Sequence, residues 1–516
     1  MKKTSKLILG AMIACTILAP CQFVIPSLQL NAKAGELENY QRKYVSFFQN
    51  QITPLNNVIL NVIQTELPRF DYHLLGSAFN LDIMSFLSEV KQYQKDHAGE
   101  LASKNEQENI KFKDKVLNWS ETKLIMDSAY VFGPVWSFTP IEITKAQKIK
   151  KDKETYFAVY ARSNLSLNLS IYKYQQDIPV KYSEINNDWS LSKEIRVDVN
   201  DNMTDKQKEQ IILANNEVKI ALSSTAENYF IATAQDTVNS SSAFVIKKIK
   251  QLSDFVLKGS IAEVDMKKDI AAINFGEKET PKTLGVKLDD GYKIIEYKTV
   301  GGTEQKVEVG FSKVRQIRNN DVVTQPLIVG RDYETGDQTI EYPKVGFNVL
   351  LKGGTTSFVF DNTNNMFTPH AYLDFEYNVG KNFGISELYS TLGLGANLTP
   401  VSYSGQNIIT ADADIGVVKK IYMRQLVLNL GGKISAIGAD LKYQDEDYMN
   451  IAYGLTPMVG VSYLATPDII VGFDLGYKYT LPSGTEWKKI GTDKKYTGPS
   501  IGSNGPVINL FFNYSL

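Results

Sequence analysis

The segment from Ile469 to Tyr479 reads IIVGFDLGYKY. From Val471 onward its odd-numbered positions are aliphatic or aromatic, and its even-numbered positions are glycine, aspartate or lysine. Because successive side chains of a strand point to opposite faces, this alternation predicts a β-strand with one apolar face and one polar face. The segment therefore decides which kind of sheet the C-terminal part of the chain can form.

The same alternation recurs in seven further segments after Thr339. Their alternating apolar positions are Phe347, Val349 and Leu351; Ala371 to Val379; Leu388 to Ala396; Ile409 to Val417; Leu426 to Leu430; Val459 to Tyr463; and Ile508 to Leu516. A soluble sandwich would also alternate, but its polar faces would carry many Lys and Glu and few Gly. A narrow membrane barrel needs small residues and compensating charges inside and apolar residues outside. We therefore predict an eight-stranded antiparallel membrane barrel over 339–516.

Glycine content and connection lengths support this prediction. Of the 35 glycines, 21 lie at or after Thr339. The predicted links after the odd-numbered strands are long and polar, at Lys352–Thr368, Thr399–Asn407, Gln444–Asp447 and Leu481–Gly505. Those after the even-numbered strands are mostly short. Long connections on one rim and short ones on the other are typical of outer membrane barrels, whose two chain ends then lie on the periplasmic side. Pro457 predicts that the sixth strand begins there or carries a bulge.

The last residues, Asn509 to Leu516 (NLFFNYSL), carry a resemblance. With Phe512 and Tyr514 at alternate positions, the C-terminal third resembles the bacterial outer membrane β-barrel family of the small OmpA or OmpX type. The family usually ends in an aromatic residue, where this chain has Leu516. The resemblance implies that membrane lipid surrounds the barrel and that the barrel assembly machinery reads the last strand.

The N-terminus predicts export. Lysines precede an apolar run from Leu7 to Ala19, and Ala32-Lys33-Ala34 offers a cleavage site, so that 1–34 reads as a signal peptide. A retained membrane anchor or a lipidated cysteine are the alternatives. Both cysteines, Cys15 and Cys21, lie in this segment, and the mature chain would therefore have no disulfide, thiol nucleophile or Cys-bound zinc. Secretion without cysteines suits a bacterial envelope protein.

Two soluble regions are predicted between the signal and the barrel. Apolar residues at helical spacing, including Tyr44, Phe47 and Phe48, predict a helical region over 35–119. Short β-rich stretches with one helix predict one or two soluble α/β domains over 120–338. Two of these stretches, Thr155–Ala161 and Leu165–Tyr174, read as neighbouring strands. The helix should begin at Thr204, with Gln207 completing a capping box, and run toward Leu222.

A second, shorter resemblance lies inside this region. Ala243 to Lys247, followed by Ser253 to Ile261, resembles the periplasmic domain of the CsgG and TolB-like envelope proteins. The resemblance implies a strand at each of the two segments, joined by an Asp-aromatic-aliphatic link. It covers about twenty residues and includes no group that carries chemistry.

No catalytic, cofactor or metal site is predicted. The net charge of −1 gives no global field for nucleic acid, and none of the nucleotide, zinc-protease or serine-hydrolase motifs is present. His370 with Ser357, Ser402 and Ser404 could form a barrel-rim hydrolase site, but a rim or interface histidine is the preferred interpretation. Asp198, Asn200, Asn202 and Glu209 have calcium-loop offsets, although Met203 stands where glycine is needed, and a turn before a helix cap explains them.

One polar cluster is expected inside the barrel. Asp412, Asp414 and Asp474 could pair there with Lys433 and Lys478, and in a narrow barrel such charges satisfy one another rather than line a conducting path. The sequence therefore favours a non-enzymatic protein that anchors or binds a partner at the envelope, with a periplasmic protein as a possible partner. The alternatives are a pore, if strands from 120–338 join a wider barrel, and a secreted soluble β-rich protein.

Overall fold

The computed structural model describes residues 43–48, 53–75, 83–97, 99, 109–112, 115–118, 128–151, 154–175, 178–276, 279–300, 303–360, 364–403, 406–443, 446–481, 483–489 and 494–516. These residues all belong to one unit that runs from Leu37 to Leu516. The predicted signal peptide over 1–34 lies outside the described residues, as does much of 95–115. Among the residues described, no helix is both long and apolar enough to cross a membrane.

The first part of the chain forms a seven-stranded mixed sheet and a separate two-stranded sheet. The strands are β1 (Lys43–Phe48), β2 (Phe70–Leu75), β3 (Asn109–Phe112), β4 (Lys115–Asn118), β5 (Tyr130–Phe138), β6 (Glu142–Ile143), β7 (Gln147–Lys151), β8 (Glu154–Gln175) and β9 (Ile178–Val197). Within the described residues, β3 pairs with β4 alone, and the others form the mixed sheet. The prediction that Tyr44, Phe47 and Phe48 lie on a helix is wrong, because β1 runs parallel to both β2 and β5. A short apolar run fits both the helical and the strand period, and here its position between two strands makes it a strand.

In the part of the chain that the structure describes, six helices accompany the mixed sheet. They are α1 (Pro54–Glu66), α2 (Ile83–Asp96), α3 (Asp205–Ala214), α4 (Asn216–Ser223), α5 (Ala226–Ser241) and α6 (Ala243–Lys250). The predicted capping box is confirmed, since Thr204 accepts from Gln207 N–H and the Gln207 side chain accepts from Thr204 N–H. The helix stops at Ala214, because Asn215 caps a new helix by accepting from Glu217 and Val218 N–H.

Two predictions in this region are wrong. β8 is one continuous strand that pairs with β9 along nearly its whole length, so Thr155–Ala161 and Leu165–Tyr174 are not neighbours. Ala243 to Lys247 lies in α6, and not in the strand that the CsgG and TolB-like resemblance implied. Its buried residues, Val245, Ile246 and Ile249, recur at helical spacing and pack into the core beneath the sheet.

A second body is a closed six-stranded barrel. Its strands are β10 (Lys258–Asp265), β11 (Ile270–Asn274), β12 (Gly291–Val300), β13 (Thr303–Ile317), β14 (Asp321–Val329) and β15 (Gln338–Tyr342), closed in the order β10-β11-β14-β13-β12-β15. A turn at 318–321 joins β13 to β14, with Arg318 N–H donating to the Asp321 carbonyl. The predicted boundary at Thr339 falls inside β15, which closes this barrel.

The C-terminal part is a closed eight-stranded antiparallel barrel, as predicted. Its wall consists of β16 (Phe347–Phe360), β17 (Asn364–Asn378), β18 (Leu388–Asn397), β20 (Gln406–Met423), β21 (Leu426–Tyr443), β22 (Glu446–Leu464), β23 (Ile469–Leu481) and β27 (Asn504–Ser515). The last strand, β27, pairs with β16 and closes the ring. Accessory elements are α7 (Gly380–Phe383), β19 (Val401–Tyr403), β24 (Glu486–Lys489), β25 (Lys495–Thr497) and β26 (Ile501–Gly502).

Two details of the barrel differ from prediction. The polar stretch from Lys352 to Thr368 is a pair of long strands rather than a loop, because β16 and β17 keep pairing out to Phe360 and Asn364. The sixth strand begins at Glu446 rather than at Pro457, and no register shift is found there. The pairing of β22 with β23 omits Thr456 and Pro457 and then resumes in register, as expected where proline has no N–H to donate.

Candidate functional site

The exterior of the eight-stranded barrel is apolar, as the alternation predicted. On every wall strand large apolar side chains are exposed while their neighbours are buried. On β22, for example, Tyr453 and Tyr463 are both exposed. At about 3.3 Å per residue and a tilt of about 40°, they lie about 25 Å apart along the barrel axis, the height of the apolar band on membrane-spanning barrels. Aromatic residues at the two levels match the girdles of such barrels.

The lumen is filled by buried ion pairs. Lys352 Nζ lies 3.0 Å from Asp374 Oδ2 and 2.8 Å from Asp474 Oδ2, and Lys433 Nζ lies 2.6 Å from the same Asp374 oxygen. The other pairs are Lys478–Asp412 at 2.9 Å, Lys433–Asp414 at 3.7 Å and Lys420–Glu376 at 2.6 Å. The predicted pairing with Lys433 and Lys478 is confirmed for Asp412 and Asp414, whereas Asp474 pairs with Lys352. Two cavities among these residues have volumes of about 10 and about 30 Å³, the room that single water molecules need.

Sequence reasoning missed several members of this network. Asp374 and Glu376 lie on the polar face of a predicted strand, so the alternation could have identified them. Lys352 was assigned to a loop because glycines and polar residues follow it. Lys420 stands next to Lys419 near a strand end, where a lysine pair ordinarily indicates solvent.

Glycine on the inner face makes room for the network. A Cβ at Gly393 would collide with an Asp374 carboxylate oxygen, and a Cβ at Gly460 would collide with an Asp474 carboxylate oxygen. Both glycines lie directly opposite an aspartate on the paired strand, Gly393 opposite Asp374 and Gly460 opposite Asp474. The glycine enrichment of this region therefore has a steric cause at these positions.

The end of the barrel farthest from the chain entry at Phe347 is closed by an apolar plug. Trp487 of β24 is 0% exposed, and its Nε1–H donates to the Pro499 carbonyl at 2.9 Å. It packs with lumen-facing residues of the wall, which are Phe358, Ile408, Ile437, Ala439, Leu441, Tyr448 and Ala452, together with Ile501. The predicted long polar link Leu481–Gly505 is thus partly a lid whose tryptophan, Trp487, enters the lumen.

The opposite end, here called the domain-side mouth, carries the turns 379–387, 424–425 and 465–468 and both chain ends of the barrel. Phe311 and Leu327 of the six-stranded barrel pack there against lumen-facing residues of the wall. These are Leu350, Tyr422, Val427, Leu464, Ile470 and Phe511. The six-stranded barrel therefore seals the mouth with an apolar contact.

A buried ionic cluster, here called the mouth latch, lies beside this seal. Arg315 Nη1 bridges Asp289 Oδ1 at 2.6 Å and Glu387 Oε1 at 2.8 Å. Lys313 Nζ lies 2.8 Å from the same Glu387 oxygen. Asp289 Oδ2 accepts from the Glu387 N–H at 2.7 Å and from Asn378 Nδ2 at 2.9 Å. Burial alone would raise the pKa of Glu387, but the charges of Lys313 and Arg315 hold it well below its usual range.

Backbone strain is concentrated at the same interface. Among the described residues, the four non-glycine residues with positive φ are Asp269 (52°), Asp289 (66°), Glu387 (53°) and Arg424 (56°). All four form ion pairs or hydrogen bonds between the two barrels, since Arg424 Nε lies 2.8 Å from Asp269 Oδ1. Left-handed backbone at non-glycine residues costs energy and persists where surrounding contacts hold it. The docking of the two barrels is therefore a specifically built contact.

A second latch joins the mixed-sheet domain to the six-stranded barrel. Arg69, which lies between α1 and β2, makes a bidentate contact with Glu341 of β15, at 2.7 and 3.1 Å. Lys250 and the Leu257 N–H also reach Glu341. Burial opposes ionisation, yet Arg69 and Lys250 lower the pKa of Glu341 to about 2. The chain from the mixed sheet to the membrane-type barrel is thus connected by two buried charge clusters.

Among the described residues, the candidate catalytic residue His370 hydrogen-bonds no serine. His370 was expected at a rim or interface, but it is buried in the lumen, where Nε2 hydrogen-bonds Asn509 and the ring packs edge-on against Tyr372. Ser404 lies outside the described residues. In the segment with calcium-loop offsets, the Asn200 side chain accepts from Asn202 N–H, which is the turn before a helix cap that the sequence favoured. Glu209 lies within α3. The described residues contain no cluster of three or more metal-binding side chains.

Comparisons with known proteins add the following. No family model matches the chain, and no curated protein sequence matches it. Among solved structures, Neisserial surface protein A is similar over 34% of this chain and 100% of its own, at 12% identity and a TM-score of 0.25. Ail, the attachment invasion locus protein of Yersinia pestis, is similar over 33% of this chain and 97% of its own, at 9% identity and a TM-score of 0.22. The N-terminal β-barrel domain of Pseudomonas aeruginosa OprF is similar over 32% of this chain and 97% of its own, at 11% identity and a TM-score of 0.18.

Proposed function

We propose that the chain is a bacterial outer membrane protein whose C-terminal barrel spans the membrane and anchors the N-terminal domains on the periplasmic side. The observation that carries this proposal is the closed eight-stranded barrel with an apolar exterior and a lumen that is filled and closed at both ends. An exposed apolar surface of this extent is a solubility liability in water and a requirement in lipid. This consideration argues against the soluble secreted alternative.

The proposed role is anchoring and binding, without catalysis. The mouth latch and the Arg69–Glu341 contact hold the mixed-sheet domain in a fixed relation to the barrel. A periplasmic partner bound by that domain would therefore be tethered to the membrane through a rigid connection rather than a flexible linker. Membrane lipid and, during assembly, the barrel assembly machinery are the other proposed partners.

The pore alternative required strands from 120–338 to widen the barrel. Those strands instead form the mixed sheet and the separate six-stranded barrel. With the plug around Trp487 at one end and the seal around Phe311 at the other, the lumen offers solutes no entrance among the described residues. A non-conducting barrel is therefore the better-supported reading.

The purified protein should form no stable large channel in planar lipid bilayers. Conductance is the direct measurement, because a solute path through the lumen would have to displace the ion pairs of Lys352 and Lys433 and both end seals. Insertion is checked in the same preparation by the slower gel migration that barrels show after boiling. Reproducible steps of porin-like size would contradict the closed barrel.

Trypsin added to intact cells should cleave the lid at Lys488 or Lys495 and leave the mixed-sheet domain uncut. Both lysines are exposed on the end of the barrel opposite the domain. Cleavage of the mixed-sheet domain on intact cells would reverse the proposed orientation. Release of the full chain from envelopes by a carbonate wash would contradict membrane insertion itself.

A further inference from the structure

β9 is an edge strand of the mixed sheet. It runs over 20 residues, Ile178–Val197, and among the described strands it pairs with β8 alone. The pairing shifts register once, between Ile171 and Tyr172 of β8, and is regular from Ser183 to Val197 of β9. A long edge strand presents a row of backbone groups that a further strand can join. β9 therefore has one edge along which a strand from another molecule could pair.

The hydrogen bonds of β8 determine which residues of β9 face this edge. On the β6 side of β8, the Tyr160 carbonyl accepts from Thr144 N–H. The Asn164 carbonyl likewise accepts from Thr139 N–H. In this stretch the even-numbered residues of β8 therefore bond away from β9, and the odd-numbered ones bond to β9. Because β8 residues lie opposite β9 residues of the same parity, the even-numbered residues of β9 direct their N–H and C=O groups to the open edge.

The middle of this edge is open, whereas its two ends are occupied by side chains. Lys248 Nζ donates to the Asn186 carbonyl at 2.6 Å. Asn215 Nδ2 donates to the Arg196 carbonyl at 3.0 Å. Between these two positions, four residues each direct one N–H and one C=O outward and have no backbone hydrogen-bond partner there in the described part of the chain. These four residues, here called the open stretch, are Asp188, Ser190, Ser192 and Glu194.

The open stretch is acidic on the exposed face of the sheet. Asp188 and Glu194 lie on that face, six positions apart, and both are exposed. Across β8 they lie opposite Ser166 and Tyr160, so neither faces a cation there. Glu194 accepts from the hydroxyls of Tyr156 and Tyr160, which are neutral donors. Opposite charges directly across a strand pair are stabilising. A strand added to this edge would therefore be favoured by Lys or Arg at two positions six residues apart.

On the helix side, the open stretch is bordered by two exposed apolar side chains. Phe244 of α6 is 43% exposed and precedes Lys248, which reaches the edge, by four positions. Ile220 of α4 is 56% exposed and follows Glu217, which pairs with Lys193 of β9 at 3.0 Å, by three positions. Residues three or four apart lie on one side of a helix. The helix-side residues of an added strand would therefore come near apolar surface.

A second copy of β9 is a poor occupant of this edge. Antiparallel pairing of two copies, centred on the open stretch, would set Asp188 of each copy opposite Glu194 of the other, and like charges directly opposite each other are destabilising. Moving the centre to Ser190 or Ser192 would carry the second strand against the side chain that occupies one end, Lys248 or Asn215. The charges therefore favour a strand of different sequence.

We propose that a periplasmic partner protein adds an extended segment to the open stretch of β9, with Lys or Arg facing Asp188 and Glu194 and with apolar residues facing the helices. Backbone hydrogen bonds to the four open residues would supply affinity, and the alternation of basic and apolar side chains would supply specificity. The inference names the kind of partner for the binding role proposed above and rests on that role.

The test is fluorescence anisotropy of the labelled peptide Lys-Val-Thr-Val-Thr-Val-Lys, added to the full-length protein in detergent. The peptide carries its two lysines six positions apart and its valines on the opposite face. Its sequence reads the same in both directions, so it fits either strand direction. We expect saturable binding to the unmodified protein, and about tenfold weaker binding of the same peptide with glutamate in place of both lysines.

Ser192→Pro tests whether the backbone of the edge makes the contact. The Ser192 N–H points away from β8, so proline removes a hydrogen bond to the added strand and none from the sheet. This variant should bind the lysine peptide about tenfold more weakly. The matched control is Ser192→Ala, which keeps the N–H and should bind like the unmodified protein.

Asp188→Lys tests the charge without altering the backbone. One attractive cross-strand pair is then exchanged for a repulsive one, and the preference for the lysine peptide over the glutamate peptide should disappear. A preference that persists in Asp188→Lys, or equal binding of the two peptides by the unmodified protein, would overturn the basic partner.

The remaining outcomes concern strand addition itself. Equal binding by Ser192→Pro and Ser192→Ala would overturn it, and so would a lack of saturable binding to the unmodified protein. A dimer of the unmodified protein that Ser192→Pro abolishes would identify a second copy as the occupant instead. Circular dichroism and heat-modifiable migration are measured for every variant, so that misfolding or failure of barrel insertion, which concerns the proposed function, is distinguished from failure of peptide binding.

Discussion

Arg315→Met is expected to destabilise the docking of the two barrels by about 3–5 kcal/mol. Arg315 is the bridge of the mouth latch, and its removal leaves the carboxylates of Asp289 and Glu387 buried and facing each other. Lys313 still reaches Glu387, but Asp289 then keeps only the N–H of Glu387 and the side chains of Asn378 and Ser386. The loss of one partner from a buried ionic cluster is costly because the other charges remain out of water.

Amide hydrogen exchange at Glu387 measures this effect directly. Its N–H donates to Asp289 across the interface, so undocking exposes it, and exchange should become roughly 100-fold faster or more. Arg318→Met is the matched control, since Arg318 is 46% exposed in its side chain and lies 3.7 Å from Asp321. An exposed pair of this kind contributes at most about 1 kcal/mol. Unchanged exchange at Glu387 in Arg315→Met would show that the latch does not hold the dock.

The sequence predicted the fold best where the strand period of the apolar residues matches the face that each residue occupies in the structure. Between the two end seals of the C-terminal barrel, the wall strands place apolar residues outward and mostly polar ones inward, so strand number, faces and part of the lumen network followed from alternation. Lys352 was not predicted to belong to the lumen network because Gly353 and Gly354 follow it, and glycine ordinarily indicates a turn. In this barrel Gly354 instead permits a close approach, since a Cβ there would collide with the Ile508 carbonyl.

The contacts that join the mixed-sheet domain and the two barrels could not be predicted from the sequence. Arg315 and Glu387 are 72 positions apart, and Arg69 and Glu341 are 272 apart. No sequence period or motif connects residues at such separations. The positive φ angles of Asp289 and Glu387 could not be predicted either, because neither position is a glycine. The closure of the six-stranded barrel likewise depends on pairing β15 with both β10 and β12. Tertiary contacts therefore decided what local pattern could not.

The two end seals and the ion network have different consequences for stability. The apolar seals around Trp487 and Phe311 exclude water from the lumen, and this exclusion strengthens the interactions between the charges within it. The same exclusion makes each charge dependent on its partners. Asp374 stands at the centre of this dependence because it contacts both Lys352 and Lys433.

Asp374→Ala is therefore expected to lower the free energy of unfolding of the barrel by about 3–5 kcal/mol. Lys352 would retain Asp474 at 2.8 Å, but Lys433 would retain only Asp414 at 3.7 Å. The measurement is urea unfolding of the protein refolded in lipid vesicles, followed by the heat-modifiable gel shift. Glu486→Ala is the matched control, since Glu486 is 51% exposed in its side chain and pairs with Lys495 outside the lumen, and it should change stability by less than about 1 kcal/mol.

A double variant separates two effects of Asp374→Ala, which are the lost attraction between Asp374 and Lys433 and the cost of leaving the Lys433 charge buried without that partner. If Lys433 destabilises Asp374→Ala because it stays buried with too little compensation, replacing it as well, in Asp374→Ala/Lys433→Met, should recover a substantial part of the lost stability. Purely additive losses would instead mean that the two residues stabilise the barrel through packing and not as an ion pair. Recovery would also explain why Gly393 lies opposite Asp374, since a side chain there would push this carboxylate away from Lys433.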